Sequence, residues 1–123
     1  WFYTMPESGE KIVSSPVTVN GISFFNTNIP RADCSSGLGE ARIYALEVMT
    51  GKASVYSGAD GTGYSAFKTV PGGGFLPTGV PAIVDIGGTL REVLLVGTRV
   101  SQDIGVVQLN RRVRTFWYQG IDQ

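Results

Sequence analysis

An all-β, antiparallel fold is predicted by three observations. Val, Ile and Thr supply 32 of the 123 residues, against 7 each for Leu and Ala, and β-branched side chains favour a pleated backbone. Gly occurs 17 times, about twice the ~7% average, as a chain with many tight turns requires. Apolar and polar residues alternate in short runs, and the i, i+3, i+4, i+7 pattern of an amphipathic helix is missing.

The elements follow in order. Residues 11–20 (KIVSSPVTVN) read as one strand with Ile12, Val13, Val17 and Val19 apolar. Asn20-Gly21 is a strong hairpin signal, because both central residues of a type I′ turn need positive φ. Residues 22–29 (ISFFNTNI) form the return strand, and 30–40 a loop rich in Gly, Ser and Asp. In 41–48 (ARIYALEV), Ala41, Ile43, Ala45 and Glu47 face one side, and Arg42, Tyr44, Leu46 and Val48 the other. Met49 to Lys52 is a turn, and 53–56 a short fourth strand. Residues 57–76 carry six glycines and little periodicity, so Gly72-Gly73-Gly74 reads as a flexible connector. Strands are expected again at 80–86, at 90–97 after a Gly87-Gly88 turn, at 104–109, and at 113–119 after an Asn110-Arg111 turn.

The second half echoes the first. PVTV at 16–19 corresponds to PAIV at 81–84, and 43–51 loosely to 106–112, an offset of 63 to 65 residues. Repeated units of four short antiparallel strands suggest β-propeller blades. The organisation is thus a first blade-like unit at 1–57, a Gly-rich connector at 58–78 and a second unit at 79–123. Two blades cannot close a ring of 4–8, so the remaining blades are expected elsewhere in the protein or on another chain. The alternatives are a β-sandwich or a swapped oligomer. The start at Trp1 is expected of a processed product or a piece of something longer.

Composition excludes much chemistry. There is no His, so no Ser-His-Asp triad, Cys-His pair or imidazole metal site can form. A metal would need hard oxygen ligands. Ten basic and ten acidic residues give no net charge, which argues against nucleic acid or an anionic membrane as partner. No run approaches the ~18 apolar residues of a membrane helix. Glu7, Glu10, Asp85, Glu92 and Asp103 show no spacing suited to acid–base work, and Asp85 before Gly87-Gly88 fits Asx-turn bonding. The glycines at 58–63 and 72–74 lack the phosphate-loop pattern G-x-x-x-x-G-K-[ST].

The remaining candidates are partner-binding or inter-chain residues. Cys34, the single Cys, lies in a polar loop. It is a plain loop thiol, a disulfide partner for another segment or, with Arg31 nearby, a weakly activated thiol. Arg111, Arg112 and Arg114 form the one basic cluster, read as a solvated hairpin tip or a contact for an anionic partner. Phe116, Trp117 and Tyr118 are consecutive, as are Trp1, Phe2 and Tyr3, so in each triplet at least one ring points away from the core. Such rings pack between blades or meet a partner chain.

These residues carry a family resemblance. Residues 1–51 resemble the carboxy-terminal region of PilY1-type proteins, the type IV pilus assembly and tip-associated adhesins. The matching features are an aromatic start, P-x-S-G-E-K from Pro6 to Lys11, the strand pair SSPVTVNGISFFNTNIP, Asp33-Cys34-Ser35, and ARIYALEVMTG. RRVRTFWYQGIDQ is similar to the family's final strand. The resemblance implies the last two blades of a modified β-propeller and a role in pilus biogenesis, tip adhesion and twitching motility at the cell surface. It implies minor pilins, the remaining blades or a surface ligand as partners, and no cofactor in this segment. The family's calcium loop is D-x-D-x-D, and nothing here matches it; residues 58–63 offer one carboxylate, so calcium belongs elsewhere in a longer member. YALEVMTGK also resembles the quinoprotein repeat, which occurs both in quinone-dependent dehydrogenases and in scaffold propellers. A dehydrogenase fragment is therefore the alternative to a non-enzymatic binding protein.

Overall fold

The computed structural model describes residues 1–31, 37–53, 55–57, 63–97 and 99–101. Cys34, Arg111, Arg112, Arg114, Phe116 and Trp117 lie outside the described residues, as do the strands expected at 104–109 and 113–119. The described residues hold ten strands and no helix, and every strand pair is antiparallel.

The first sheet contains β1 (Lys11–Ile12), β2 (Val17–Val19), β3 (Ile22–Ile29), β4 (Glu40–Glu47) and β7 (Phe67–Val70). Its order is β1-β3-β4-β7, with β2 also on β3. Five strands thus occupy four positions. The expected continuous strand over 11–20 is broken in two. Ile12 and Val17 are five residues apart, yet their partners Thr27 and Phe24 are only three apart, so two residues bulge out. Pro16 has no N–H to give a ladder there. The Ser14 hydroxyl accepts the Asn26 N–H instead, at 2.9 Å. The Asn20-Gly21 turn is as expected, with φ of 50° and 79°.

The fourth position on the sheet is not filled by residues 53–56. Ala53 makes one bridge to Leu46. β5 (Tyr56–Ser57) instead pairs with β6 (Tyr64–Ser65), and β7 lies along β4. The stretch expected to lack periodicity therefore contains two strands. β7 wins the place because its alternation suits both faces of the sheet. Phe67 stands beside Tyr44 on one face, and Val70, opposite Ala41, packs on the core.

The second sheet has the order β10-β9-β8, from β8 (Val80–Ile86), β9 (Thr89–Val96) and β10 (Arg99–Ser101). Its Leu94 and Val96 share one buried cluster with Phe24, Ile43 and Ala45 of the first sheet and Tyr56 of β5. The two sheets therefore pack face to face, with the small side chain of Ala45 in the shared cluster. Asn26, buried on the same side, donates to the Pro77 carbonyl at 2.6 Å and fastens the approach to β8 onto the first sheet.

The Tyr56 hydroxyl is buried and has no hydrogen-bond partner among the described residues. An unpaired buried hydroxyl costs about 1–3 kcal/mol. Tyr56→Phe is expected to leave thermal stability unchanged or raise it by about 1 kcal/mol; a clear loss would mean the hydroxyl has a partner. Burial also pushes the Tyr56 phenol above its ordinary 10.0. A folded-state value above the unfolded one stabilises fully below pH ~10 and is lost as pH climbs through the raised value. Tyr56→Phe should accordingly flatten the fall in melting temperature measured above pH ~10.

Candidate functional site

Residues 1–10 form no strand but run as a strap over the outer face of the first sheet. That face is set by register. Phe25, Tyr44 and Phe67 stand in one cross-strand row, and Thr27, Arg42 and Thr69 in the next. Tyr44 stacks on Phe25, with centroids 5.1 Å apart and planes at 3°, and lies 5.2 Å from Phe67. Tyr3 of the strap meets Tyr44 edge-on at 5.7 Å.

Arg42 anchors the strap. Its side chain is only 8% exposed, and that of Glu10 is 0% exposed. Arg42 Nη1 lies 3.3 Å from Glu10 Oε2, Nε 2.7 Å from Glu40 Oε1 and Nη2 3.6 Å from Glu7 Oε1. Its guanidinium carbon sits 4.2 Å from the centre of the Phe67 ring. Glu10 Oε1 accepts the hydroxyls of Thr27 at 2.6 Å and Tyr44 at 2.8 Å. Burial by itself lowers the Arg42 pKa, but the hydrogen bond to Glu40 and the charges of Glu40 and Glu10 outweigh it and raise the value. Burial, and then the bond to Glu10, hold the Tyr44 phenol well above its usual range. Burial and the Glu10 charge raise that of Tyr3. Three carboxylates surround one cation, so the cluster carries an excess of negative charge and is a clasp, not an anion site.

Of the sequence-stated candidates, Trp1 and Phe2 lie within the described residues. Trp1 Nε1 donates to the Val48 carbonyl at 2.8 Å, and its ring lies on Gly51. Trp1 is still 65% exposed and Phe2 90%. With exposed Met49 and Val48 they place apolar surface at one end of the first sheet. Arg42 and Glu10 were not among the candidates. The available signal was Arg42 itself, a lone charge on the strand face that also holds Tyr44, Leu46 and Val48. Asp85 Oδ1 accepts the Gly88 N–H at 2.8 Å, the expected Asx-type bond.

A Cβ on Gly51 would sit 2.5 Å from Trp1 Cε3, and Gly51 has φ of +70°. Gly51→Ala is expected to lift Trp1 off the turn. In a Trp117→Phe background the indole emission should shift to the red and acrylamide quenching rise. Unchanged emission would show that Trp1 is not docked there.

Among the described residues no group of three or more His, Cys, Asp or Glu is placed to hold a metal ion, and no helix is long and apolar enough to cross a membrane. No family model, curated protein or solved structure matches the chain.

Proposed function

We propose that the chain is the carboxy-terminal part of a PilY1-like pilus-assembly and tip-adhesion factor, acting at the cell surface by protein–protein binding and not by catalysis. The observation that carries this reading is the order of three segments, Ser8-Gly9-Glu10-Lys11, Asp33-Cys34-Ser35-Ser36 and Tyr44 to Gly51 (YALEVMTG). The geometry lends support, since Glu10 of the first segment and Tyr44 of the third meet in one part-buried hydrogen bond. Antiparallel strands in four positions, packed face to face on a second sheet, also suit consecutive propeller blades. The apolar end formed by Trp1, Phe2 and Met49 is the surface offered to minor pilins or to neighbouring blades.

Deleting the gene in its source organism is expected to lower surface pilus number and attachment, with recovery on complementation. Unchanged pili and attachment would overturn the proposal. Dye-linked alcohol oxidation after reconstitution with pyrroloquinoline quinone would favour the dehydrogenase reading instead.

A further inference from the structure

β8 is the longest open edge among the described strands. It spans seven residues and has β9 as its one neighbour. Of the first sheet's edges, β7 has four residues and the β1/β2 edge is broken at the bulge. Natural edges are commonly protected by such breaks or by Lys. β8 carries no Lys or Arg, and its one charge is Asp85.

The hairpin register says which backbone groups are open. Gly87 and Gly88 both have positive φ, 64° and 82°, and Ile86 stands opposite Thr89. A two-residue loop of this kind closes on a hydrogen-bonded pair, and bonded pairs alternate along an antiparallel ladder. Val80, Ala82, Val84 and Ile86 therefore bond to β9. Pro81, Ile83 and Asp85 direct their backbone groups away from it. Pro81 thus occupies an outward position, where its missing N–H costs no bond. Ile83 and Asp85 offer complete N–H and C=O pairs to a new strand. The side chains add a second observation. Pro81 and Ile83 share a face with Leu94, which is buried, but Ile83 is 60% exposed.

The geometry points to self-association through this edge: β8 pairs antiparallel with β8 of a second copy, about a two-fold axis at Ile83. In that register the two Ile83 residues exchange both backbone bonds, and each Asp85 N–H donates to the partner's Pro81 carbonyl. The Ile83 side chains meet, Val84 lies against the partner's Ala82, and Asp85 stands opposite the partner's Pro81 and not another carboxylate. A two-fold contact must be self-complementary in this way, and a chain of zero net charge does not repel its copy. The inference does not depend on the pilus reading, and its failure would leave that reading intact.

Analytical ultracentrifugation of the full chain at micromolar concentration should give twice the chain mass of 13.1 kDa, and Ile83→Lys should return it to one. In a Cys34→Ser background, Ile83→Cys should oxidise to a covalent dimer, because directly bonded residues lie ~5.5 Å apart at Cα. Lys52→Cys, in the turn after β4 and outside β8, should not. The small Cys side chain keeps the test open if Ile83→Lys fails to fold. Monomeric wild-type protein, a dimer indifferent to Ile83→Lys, or equal cross-linking at both positions would overturn self-pairing. So would a strand from a different, copurifying protein seated on β8.

Discussion

Arg42→Met is expected to destabilise the fold by about 3–5 kcal/mol, measured by urea unfolding, because it strands a charge that has no route to water. The Glu10 carboxylate is fully buried and meets Arg42 at 3.3 Å. Thr27 and Tyr44 would still donate to it, but neither carries a positive charge. Glu10→Gln should cost less, about 1–2 kcal/mol, since Glu7 and Glu40 continue to pair with Arg42. The double variant should be less damaged than the sum of the two, with a coupling of about 1–3 kcal/mol. The strap should respond as well: without the clasp, Tyr3 and Trp1 lose the anchor that holds residues 1–10 to the sheet. An Arg42→Met loss below about 1 kcal/mol would mean that the pair behaves as an exposed one and that the burial is wrong.

Gly73→Ala should cost about 2–5 kcal/mol, combining positive φ with a backbone collision. Gly73 has φ of +63°, and a Cβ there would lie 1.9 Å from the Gly39 carbonyl oxygen. A Cβ on Gly39 would in turn lie 2.4 Å from the Ile29 carbonyl. Neither obstacle is the end of a flexible side chain. Asn28 secures the junction, its amide donating to Leu38 O at 3.1 Å and Gly74 O at 2.9 Å. Gly72→Ala is the control, with φ of +96° but nothing within 4 Å of the added methyl. Its expected cost is the conformational part alone, about 1–2 kcal/mol. Equal losses at the two positions would remove the collision from the account. The triple glycine that reads as a flexible connector is in fact a turn packed against two other segments.

What was legible in the sequence is what depends on neighbours along the chain. Asn20-Gly21 specifies its hairpin, and β3, β4, β8 and β9 appear within a residue of their expected bounds. Alternation in 41–48 sorts Ile43 from Tyr44 correctly. Two features escaped because their signals are weak locally. β7 sits in a Gly-rich stretch and becomes a strand by what it packs on, Tyr44 through Phe67 and the core through Val70. The clasp unites Glu10 with Arg42, residues whose separation along the chain carries no spacing rule.

By itself the sequence determined an all-β chain, its tight turns and the strands of its hairpins, because turn conformation and side-chain alternation are properties of a few consecutive residues. Only the tertiary structure decided which segment completes the first sheet, that residues 1–10 close over its outer face, and that Trp1 and Phe2 remain exposed. Those outcomes rest on burial and charge pairing between distant segments. A carboxylate such as Glu10 can be buried only where Arg42, Thr27 and Tyr44 converge on it.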